Sequence, residues 1–216
     1  MRKCDSIGLW AIDKPISSCK FATSWCKVCC YNKRDYIQYP NMRACESQLG
    51  RDWENLSGEV VRYEIERKPE KVTRFRICTR GEPFADISDF SKVADIARCN
   101  PTVTFAVPTR SWVNPVYRQK AEALRSIPNI RLLASVDPSH TKEQADEIWS
   151  REWSIMFTGD DTVSRGYRCP KTWRKDRAIN CKTCAGGCFN RKQTFIHLKV
   201  HSVCRKDLSM TDLIVS

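Results

Sequence analysis

The chain has 216 residues, 41% of them hydrophobic, and its 37 Lys and Arg exceed its 25 Asp and Glu to give a formal net charge of +12. This size and hydrophobic content predict one α/β unit with a real core or two small lobes, and no apolar run approaches the length of a membrane-spanning helix. The positive charge indicates a surface that attracts polyanions such as nucleic acid, although a solvated basic surface without a partner has the same composition.

The first predicted element is a short strand at Gly8–Ile12, which leads into a cysteine-containing loop. Residues from Trp25 to about Leu49 are then predicted to be mostly helical. The loop and the first helical turns carry a group of four cysteines, at Cys19, Cys26, Cys29 and Cys30. On a helix Cys26 and Cys30 lie one turn apart on the same face, and Cys19 can fold back from the loop. Three of these thiols predict a metal centre with an open position, and whether Cys29 is a fourth ligand stays open.

From about Val72 onward, strand-like and helix-like stretches alternate. The predicted strands are Val72–Cys78, Thr102–Val107, Ile130–Val136 and Trp153–Thr158. The predicted helices between them are Ser88–Cys99, Pro115–Ser126 and Thr141–Trp149. Repeated units of this length build a parallel sheet with right-handed crossovers, either an open sheet or an incomplete barrel. We therefore predict an α/β fold with a partial TIM-like barrel over residues 1–168 and a cysteine-rich metal-binding segment over residues 169–216.

Polar side chains follow the predicted strands, where α/β folds place their ligand sites. The residues in these positions are Arg80, Glu82, Arg110 and Asp137. We predict that Glu82, Arg110 and Asp137 are the catalytic residues, although Gly-Glu-Pro is also a plausible turn with no ligand. Ordinary helix capping explains a second set of loop residues, Ser88, Ser139 and Thr141.

A second group of cysteines has the C-x2-C-x3-C spacing of a metal site, with one more cysteine upstream. Its members are Cys169, Cys181, Cys184 and Cys188. Four thiols fit a closed iron–sulfur cluster or a tetrahedral zinc ion. His197 and His201 could add a zinc ligand, or they alternate along a strand at Thr194–Val200. Basic residues crowd this group: Arg165, Arg168, Lys171, Arg174, Lys175, Arg177 and Lys182.

The cysteine usage predicts a reducing compartment. A secreted disulfide framework would need an export signal, and residues 1–15 carry Asp5 and Asp13 around a short apolar run. The count of 13 cysteines is odd, so at least one thiol stays unpaired. We therefore expect a cytoplasmic protein.

The chain resembles the radical S-adenosylmethionine superfamily in two elements, a three-thiol loop after a first strand and the turn Arg80-Gly81-Glu82-Pro83-Phe84 after a second. The thiol spacing is C-x6-C-x3-C, whereas the superfamily has C-x3-C-x2-C. The resemblance implies that Cys19, Cys26 and Cys30 hold a [4Fe-4S] cluster whose open iron binds the amino and carboxylate groups of S-adenosylmethionine. It also implies that the turn Gly81-Glu82-Pro83 contacts the amino group of the cofactor.

A closer resemblance is to a bacteriophage family called gene product 88, from about Cys19 to His201. Its first pattern is matched by Cys19, Ala22, Cys26, Cys30 and Tyr31. Its second pattern is matched by Cys169-Pro170, Cys181, Cys184 and Cys188. The family itself implies little about activity, and for a phage protein the compartment would be the host cytoplasm.

These observations lead to three functional hypotheses. The first is a phage-type iron–sulfur enzyme with a radical S-adenosylmethionine-like core and one or two [4Fe-4S] clusters, acting on a nucleic acid or a small metabolite. The second is a zinc protein that binds nucleic acid without catalysis, in which Trp112 and Trp173 could stack on bases. The third is an enzyme that modifies nucleic-acid bases and carries a zinc ion bound by cysteines, in which Asp137 or Glu82 is the nucleophile or the general base. The oligomeric state is not indicated.

Overall fold

One eight-stranded sheet organises the chain in the computed structural model, which describes residues 1–4, 8–30, 32, 36, 39–159, 166–173 and 180–200. Its strands are β1 (Arg2–Cys4), β2 (Leu9–Ile12), β3 (Arg74–Ile77), β4 (Thr104–Thr109), β5 (Ile130–Val136), β6 (Ser154–Gly159), β7 (Tyr167–Arg168) and β8 (Phe195–Lys199). The strand order is β1-β2-β3-β4-β5-β6-β8-β7. The first strand is antiparallel to β2, and every other pairing described is parallel.

This arrangement confirms the predicted α/β fold with a parallel sheet. Strands β2 to β6 follow each other in the sheet as they do in the sequence, and β8 inserts between β6 and β7. Within the described residues β1 and β7 are the two edges of the sheet, so closure into a barrel is not confirmed. The boundary predicted after residue 168 stays a prediction, and the segment beyond it contributes β8 to the common sheet.

Eight α-helices are described: α1 (Ser24–Val28), α2 (Pro40–Ala44), α3 (Glu46–Glu54), α4 (Gly58–Glu66), α5 (Ser88–Cys99), α6 (Pro115–Leu124), α7 (Lys142–Ser150) and α8 (Pro170–Trp173). Short 3-10 turns lie at Ile16–Ser18, Ser111–Val113 and Gly187–Phe189. The predicted helical stretch from Trp25 to Leu49 is therefore divided into α1, α2 and the start of α3, and part of it lies outside the described residues. Every described helix is too short or too polar to cross a membrane.

Side-chain caps begin several of these helices. Thr141 forms a capping box with Gln144 at the start of α7, as predicted. Asn114 accepts hydrogen bonds from the first turn of α6, and Pro115 occupies its first position. The prediction that Ser88 caps α5 is wrong, because Ser88 is already helical and the preceding residue, Ile87, has no capping side chain.

The two faces of the sheet are covered by different parts of the chain. Phe75, Phe105 and Ile130 align across β3, β4 and β5 and pack with the helices in one large apolar core. Alternate residues point to the opposite face, where Ala106, Leu133, Met156 and Ile196 form a smaller apolar cluster. Cys188 and Phe189 of the C-terminal segment pack against that cluster. We call the two sides the helix-covered face and the cysteine-covered face.

A buried ion pair connects the end of β2 to α5. The ammonium of Lys14 donates a 2.7 Å hydrogen bond to one carboxylate oxygen of Asp89, and the indole N–H of Trp53 donates a 2.7 Å bond to the other. The side chains of Lys14 and Asp89 are only 6% and 5% exposed. Removing one partner of such a pair leaves an uncompensated buried charge.

We expect Asp89→Asn to lower the free energy of unfolding by about 3 kcal/mol, because Lys14 would stay buried without its counter-ion. Asp86→Asn is the matched control, since Asp86 pairs with Lys20 at the surface, where the side chains are 62% and 53% exposed. That change should cost less than about 1 kcal/mol. Urea unfolding of the three proteins measures both effects, and equal losses in the two variants would contradict the prediction.

Candidate functional site

The loops after β2 and β3 are held together by one carboxylate. An oxygen of Asp13 accepts hydrogen bonds from the backbone N–H of Thr79 at 2.7 Å, from its hydroxyl at 2.7 Å and from the backbone N–H of Arg80 at 2.9 Å. The backbone N–H of Lys14 in turn donates to the carbonyl of Arg80 at 3.2 Å. These bonds fix the start of the Gly-Glu-Pro turn relative to the cysteine loop.

Gly81 allows the two loops to approach this closely. Its φ is +77°, and a Cβ atom placed on it would lie 2.6 Å from the carbonyl oxygen of Lys14. Both the backbone conformation and the contact exclude a larger residue without rearrangement. The turn that was predicted from Gly81, Glu82 and Pro83 is therefore present, and both Glu82 and Pro83 are buried.

Glu82 projects into the protein at the carboxyl ends of β3 and β4. One of its oxygens accepts hydrogen bonds from the hydroxyl of Thr109 and the backbone N–H of Phe84, and the other accepts from the backbone N–H of Arg110 at 2.9 Å. Burial raises the pKa of Glu82, and these hydrogen bonds oppose the rise. A carboxylate has about four acceptor positions, so about one stays available for a ligand.

Asp137, after β5, is the third buried carboxylate at this edge, with Asp13 and Glu82, and is 1% exposed. Its Oδ2 accepts from the hydroxyl of Thr23 at 2.7 Å and from Nε and Nη2 of Arg110 at 3.3 and 3.2 Å. Its Oδ1 accepts from the backbone N–H of Ser139 at 3.0 Å and lies 3.3 Å from Nδ1 of His140. Burial raises the pKa of Asp137, but these partners outweigh it and bring the pKa to about 2.

The cysteine loop is tied through its own hydroxyl groups to the backbone of Glu82 and to the carboxylate of Asp137. The hydroxyl of Ser18, next to Cys19, accepts from the backbone N–H of Glu82 at 2.8 Å. Thr23 accepts from the backbone N–H of Cys26 at 3.0 Å, capping α1, while it donates to Asp137. The predicted cap residue Ser139 instead accepts from the backbone N–H of Trp25 at 3.2 Å. The loop is therefore held against the carboxyl edge of the sheet at several points.

Three thiols of the first group, at Cys19, Cys26 and Cys30, are free and lie on the loop and helix held at this edge. Burial raises the pKa of Cys19 to about 12, with further increases from the charges of Glu82, Cys26 and Cys30 and a decrease from Arg110. Burial also raises the pKa of Cys26, and Arg110 lowers it. The loop that carries the three predicted ligands is hydrogen-bonded, through Ser18 and Thr23, to the edge at which Glu82 and Asp137 lie.

The fourth cysteine of this group is buried and bonded in a disulfide, so Cys29 is not a free thiol in this structure. Among the residues that the structure describes, no three His, Cys, Asp or Glu side chains are placed for direct coordination of a single metal ion. The ligand assignments made from the sequence therefore stay predictions.

The second group of cysteines lies on the C-terminal segment that packs against the cysteine-covered face through Cys188 and Phe189. Burial raises the pKa of Cys181 to about 12, and the charges of Cys188, Cys169 and Cys184 add to the effect. The guanidinium of Arg76 lies 4.0 Å from the sulfur of Cys188. The hydroxyl of Tyr167 is 3.4 Å from the sulfur of Cys184. Cys188 and Cys184 are thus placed against β3 and β7.

Other residues noted in the sequence have structural positions. Trp112 is 1% exposed and donates to the carbonyl of Ser135, so the prediction that it stacks on a base is wrong. Trp173 is half-buried, with the cations of Arg168 and Lys199 4.5 and 4.8 Å from its ring centre. His197 lies on β8 and is fully buried, whereas His201 lies outside the described residues.

Sequence reasoning missed the hydroxyl groups that complete this edge, at Ser18, Thr23 and Thr109. Serine and threonine are common in loops, and their partners lie far away in sequence, 114 positions for Thr23 and Asp137. For Thr109 the sequence did offer a signal, because this residue follows the predicted strand Thr102–Val107 and precedes Arg110. His140 was also missed, although it follows Asp137 at the spacing of a local turn.

Fold and site together define a class of protein: a parallel α/β protein with free thiols and three buried carboxylates at the carboxyl edge of its sheet. A family model described as Gene product 88 matches residues 6–206, which is most of the chain. The chain therefore belongs to the gene product 88 family, and the resemblance to that bacteriophage family is confirmed. No curated protein and no solved structure matches it.

The low pKa of Asp137 predicts a specific loss of stability in acid. Asp137 has an ordinary pKa of 3.8 and a folded-state pKa of about 2, so its contribution is complete above pH 4 and disappears as the pH falls through 2. The difference corresponds to about 2 kcal/mol. Asp137→Asn should be less stable than the wild type at pH 7 by about this amount, and the gap should close between pH 4 and pH 2.

Urea unfolding at pH 7, 4 and 2 measures this gap. Asp146→Asn is the control, because Asp146 forms an exposed ion pair with Lys142 on the surface of α7. Its difference from the wild type should stay small at every pH. A gap for Asp137→Asn that does not change with pH would contradict the assignment.

Proposed function

We propose that this gene product 88 protein is an iron–sulfur enzyme with a radical S-adenosylmethionine-like core, whose cluster is held by Cys19, Cys26 and Cys30. The observation that carries the proposal is that a loop with three free thiols is hydrogen-bonded to the carboxyl edge of a parallel sheet, where Glu82 and Arg110 lie. That edge is where α/β folds bind their ligands. The sequential order of β2 to β6 supports a partial-barrel core.

The donor chemistry of this edge fits an iron–sulfur cluster. Thiolates are soft ligands that suit iron–sulfur centres, and three of them leave one iron of a four-iron cluster without a protein ligand. When bound, such a cluster supplies an electron to S-adenosylmethionine, as the resemblance implies. Ser18 and Thr23 fix the loop that carries the thiols.

Glu82 and Arg110 are suited to recognise an amino acid group such as the methionine part of this cofactor. The one remaining acceptor position of Glu82 matches an ammonium group. The guanidinium of Arg110 is 20% exposed, and its Nη1 has no hydrogen bond among the described residues, so it can donate to a carboxylate. Asp137 holds Nε and Nη2 of Arg110 and thereby positions the guanidinium.

The excess of positive charge supports a polyanionic substrate or partner, and nucleic acid is the class that we favour over a small metabolite. If the chain carries zinc and no iron, the non-catalytic nucleic-acid-binding hypothesis would replace the enzyme. Binding to nucleic acid that weakens as salt rises would then be expected.

The metal content of the protein is the first test of this proposed function. Protein purified without oxygen and reconstituted with iron and sulfide should contain a four-iron cluster at the first site, with the matching absorption. Cys26→Ser should remove the iron and sulfide of one cluster, whereas Cys45→Ser should not, because Cys45 is an exposed thiol on the surface. Iron, acid-labile sulfide and zinc assays on the same samples measure this. Equal metal content in the two variants would refute the assignment of Cys26.

The second prediction concerns Glu82. Glu82→Gln removes the negative charge that faces the ammonium group, so it should weaken S-adenosylmethionine binding at least tenfold, or about 1.4 kcal/mol, while the cluster is retained. Calorimetric titration and iron analysis of the same protein measure the two effects. Glu143→Gln, at an exposed position at the start of α7, is the control and should bind normally. Unchanged binding by Glu82→Gln would remove Glu82 from the site.

A further inference from the structure

Two arginines lie on the cysteine-covered face of the sheet, beneath the second group of thiols. Arg76 on β3 and Arg131 on β5 align with Ala106 on the strand between them, so all three point to the same face. Because alanine is small, it leaves space between the two guanidinium groups. Arg131 is only 5% exposed.

Neither arginine has a carboxylate partner among the described residues. Nε of Arg131 is buried without a hydrogen bond in that part of the chain, and its Nη2 donates to the carbonyl of Gln193. Arg76 donates to the carbonyl of Cys78 at 3.3 Å, and its other nitrogens face the sulfurs of Met156 and Cys188. Burying a guanidinium without an anion is costly, so this pair of cations calls for a negative group nearby.

The thiols of the second group are placed to provide that negative charge. Nη1 of Arg76 lies 4.0 Å from the sulfur of Cys188, and Cys188 packs against the apolar cluster that contains Ala106, the neighbour of Arg131 in the sheet. The turn before Cys188 is fixed to β3, because Nη1 of Arg74 donates to the carbonyls of Cys181, Lys182 and Cys184 at 3.0, 3.1 and 2.7 Å. The backbone of the segment is thus anchored to the sheet, and Cys188 lies on the face of the two arginines.

We propose that Cys169, Cys181, Cys184 and Cys188 hold a closed four-thiolate metal centre whose negative charge is neutralised by Arg76 and Arg131. Four thiolates around a doubly positive zinc ion, or around a doubly positive four-iron core, leave two negative charges. Two guanidinium groups balance them. The shared chemistry is a dianionic tetrathiolate centre, and the thiols would draw together on loading with either metal, because the described side chains are not placed around a single ion.

This centre would differ in role from the first group of thiols. With four protein ligands it has no open position, so it would not bind a substrate directly. It would join the turn at Cys181, the 3-10 turn at Cys188 and the residue before α8 into one unit. The inference does not depend on the chemistry proposed for Cys19, Cys26 and Cys30.

The test uses the full chain carrying Cys26→Ser, so that the second centre is measured without an intact first one. The protein is loaded with zinc alone or with iron and sulfide, and metal retention is followed against increasing EDTA. Arg131→Met and Arg76→Met should each lower retention at least tenfold. Arg131→Lys, which keeps the charge, should retain metal much better than Arg131→Met.

Arg125→Met is the control, because Arg125 contacts the surface carbonyls of Arg151 and Glu152 and not the thiols. Circular dichroism of the metal-free proteins separates misfolding from metal loss, and a variant that is unfolded without metal is replaced by its lysine counterpart. The proposal is supported if the second site retains zinc or an iron–sulfur cluster and the Arg→Met variants lose that metal as expected. No metal at the second site, or equal retention in all the arginine variants, overturns it, whatever the first site binds.

Discussion

The parallel alignment of β2, β3, β4 and β5 is the constraint on which the rest of this molecule depends. Because the four strands point in one direction, the residues that follow them meet at one edge of the sheet. Asp13, Glu82, Arg110 and Asp137 come from four separate loops and lie in one hydrogen-bonded region only for this reason. The cysteine loop, which is the connection after β2, is carried to the same edge.

The buried carboxylates of this edge serve first as connectors between loops. Asp13 and Glu82 accept the hydrogen bonds described above from backbone N–H groups and hydroxyls, and Asp137 accepts from a backbone N–H, a hydroxyl and the guanidinium of Arg110. These bonds offset the cost of burying the charges. Such a network is rigid, because moving one loop leaves a buried acceptor without its donor. Rigidity of this kind suits a site that must hold a reactive group away from water. It also means that a carboxylate at this edge can be essential for folding without touching a ligand.

The sequence predicted best those elements whose structure depends on the pattern of their own residues. Ile130–Val136 and Ser88–Cys99 were predicted with their observed bounds, because a mostly apolar run and a strong helical period need no distant partner. The end of β4 was predicted two residues early, since Pro108 is an uncommon residue in a central strand. The charged residues Arg80, Glu82, Arg110 and Asp137 were predicted from their positions after strands, whereas Asp13 was not. Their hydroxyl partners could not be predicted, because tertiary packing alone brings Thr23 to Asp137 and Ser18 to Glu82.

The position of β8 has a consequence for the way the chain assembles. β8 is the last described strand in the sequence, yet it lies between β6 and β7, and within the described residues β7 pairs only with β8. During synthesis β2 to β6 can associate in the order in which they emerge. Until β8 is synthesised, β6 is the edge strand of this partial sheet, and its outer backbone groups have no strand partner. A partial sheet with an exposed edge strand can pair with other chains and aggregate. The addition of β8 covers the edge of β6 and thereby removes this site of aggregation.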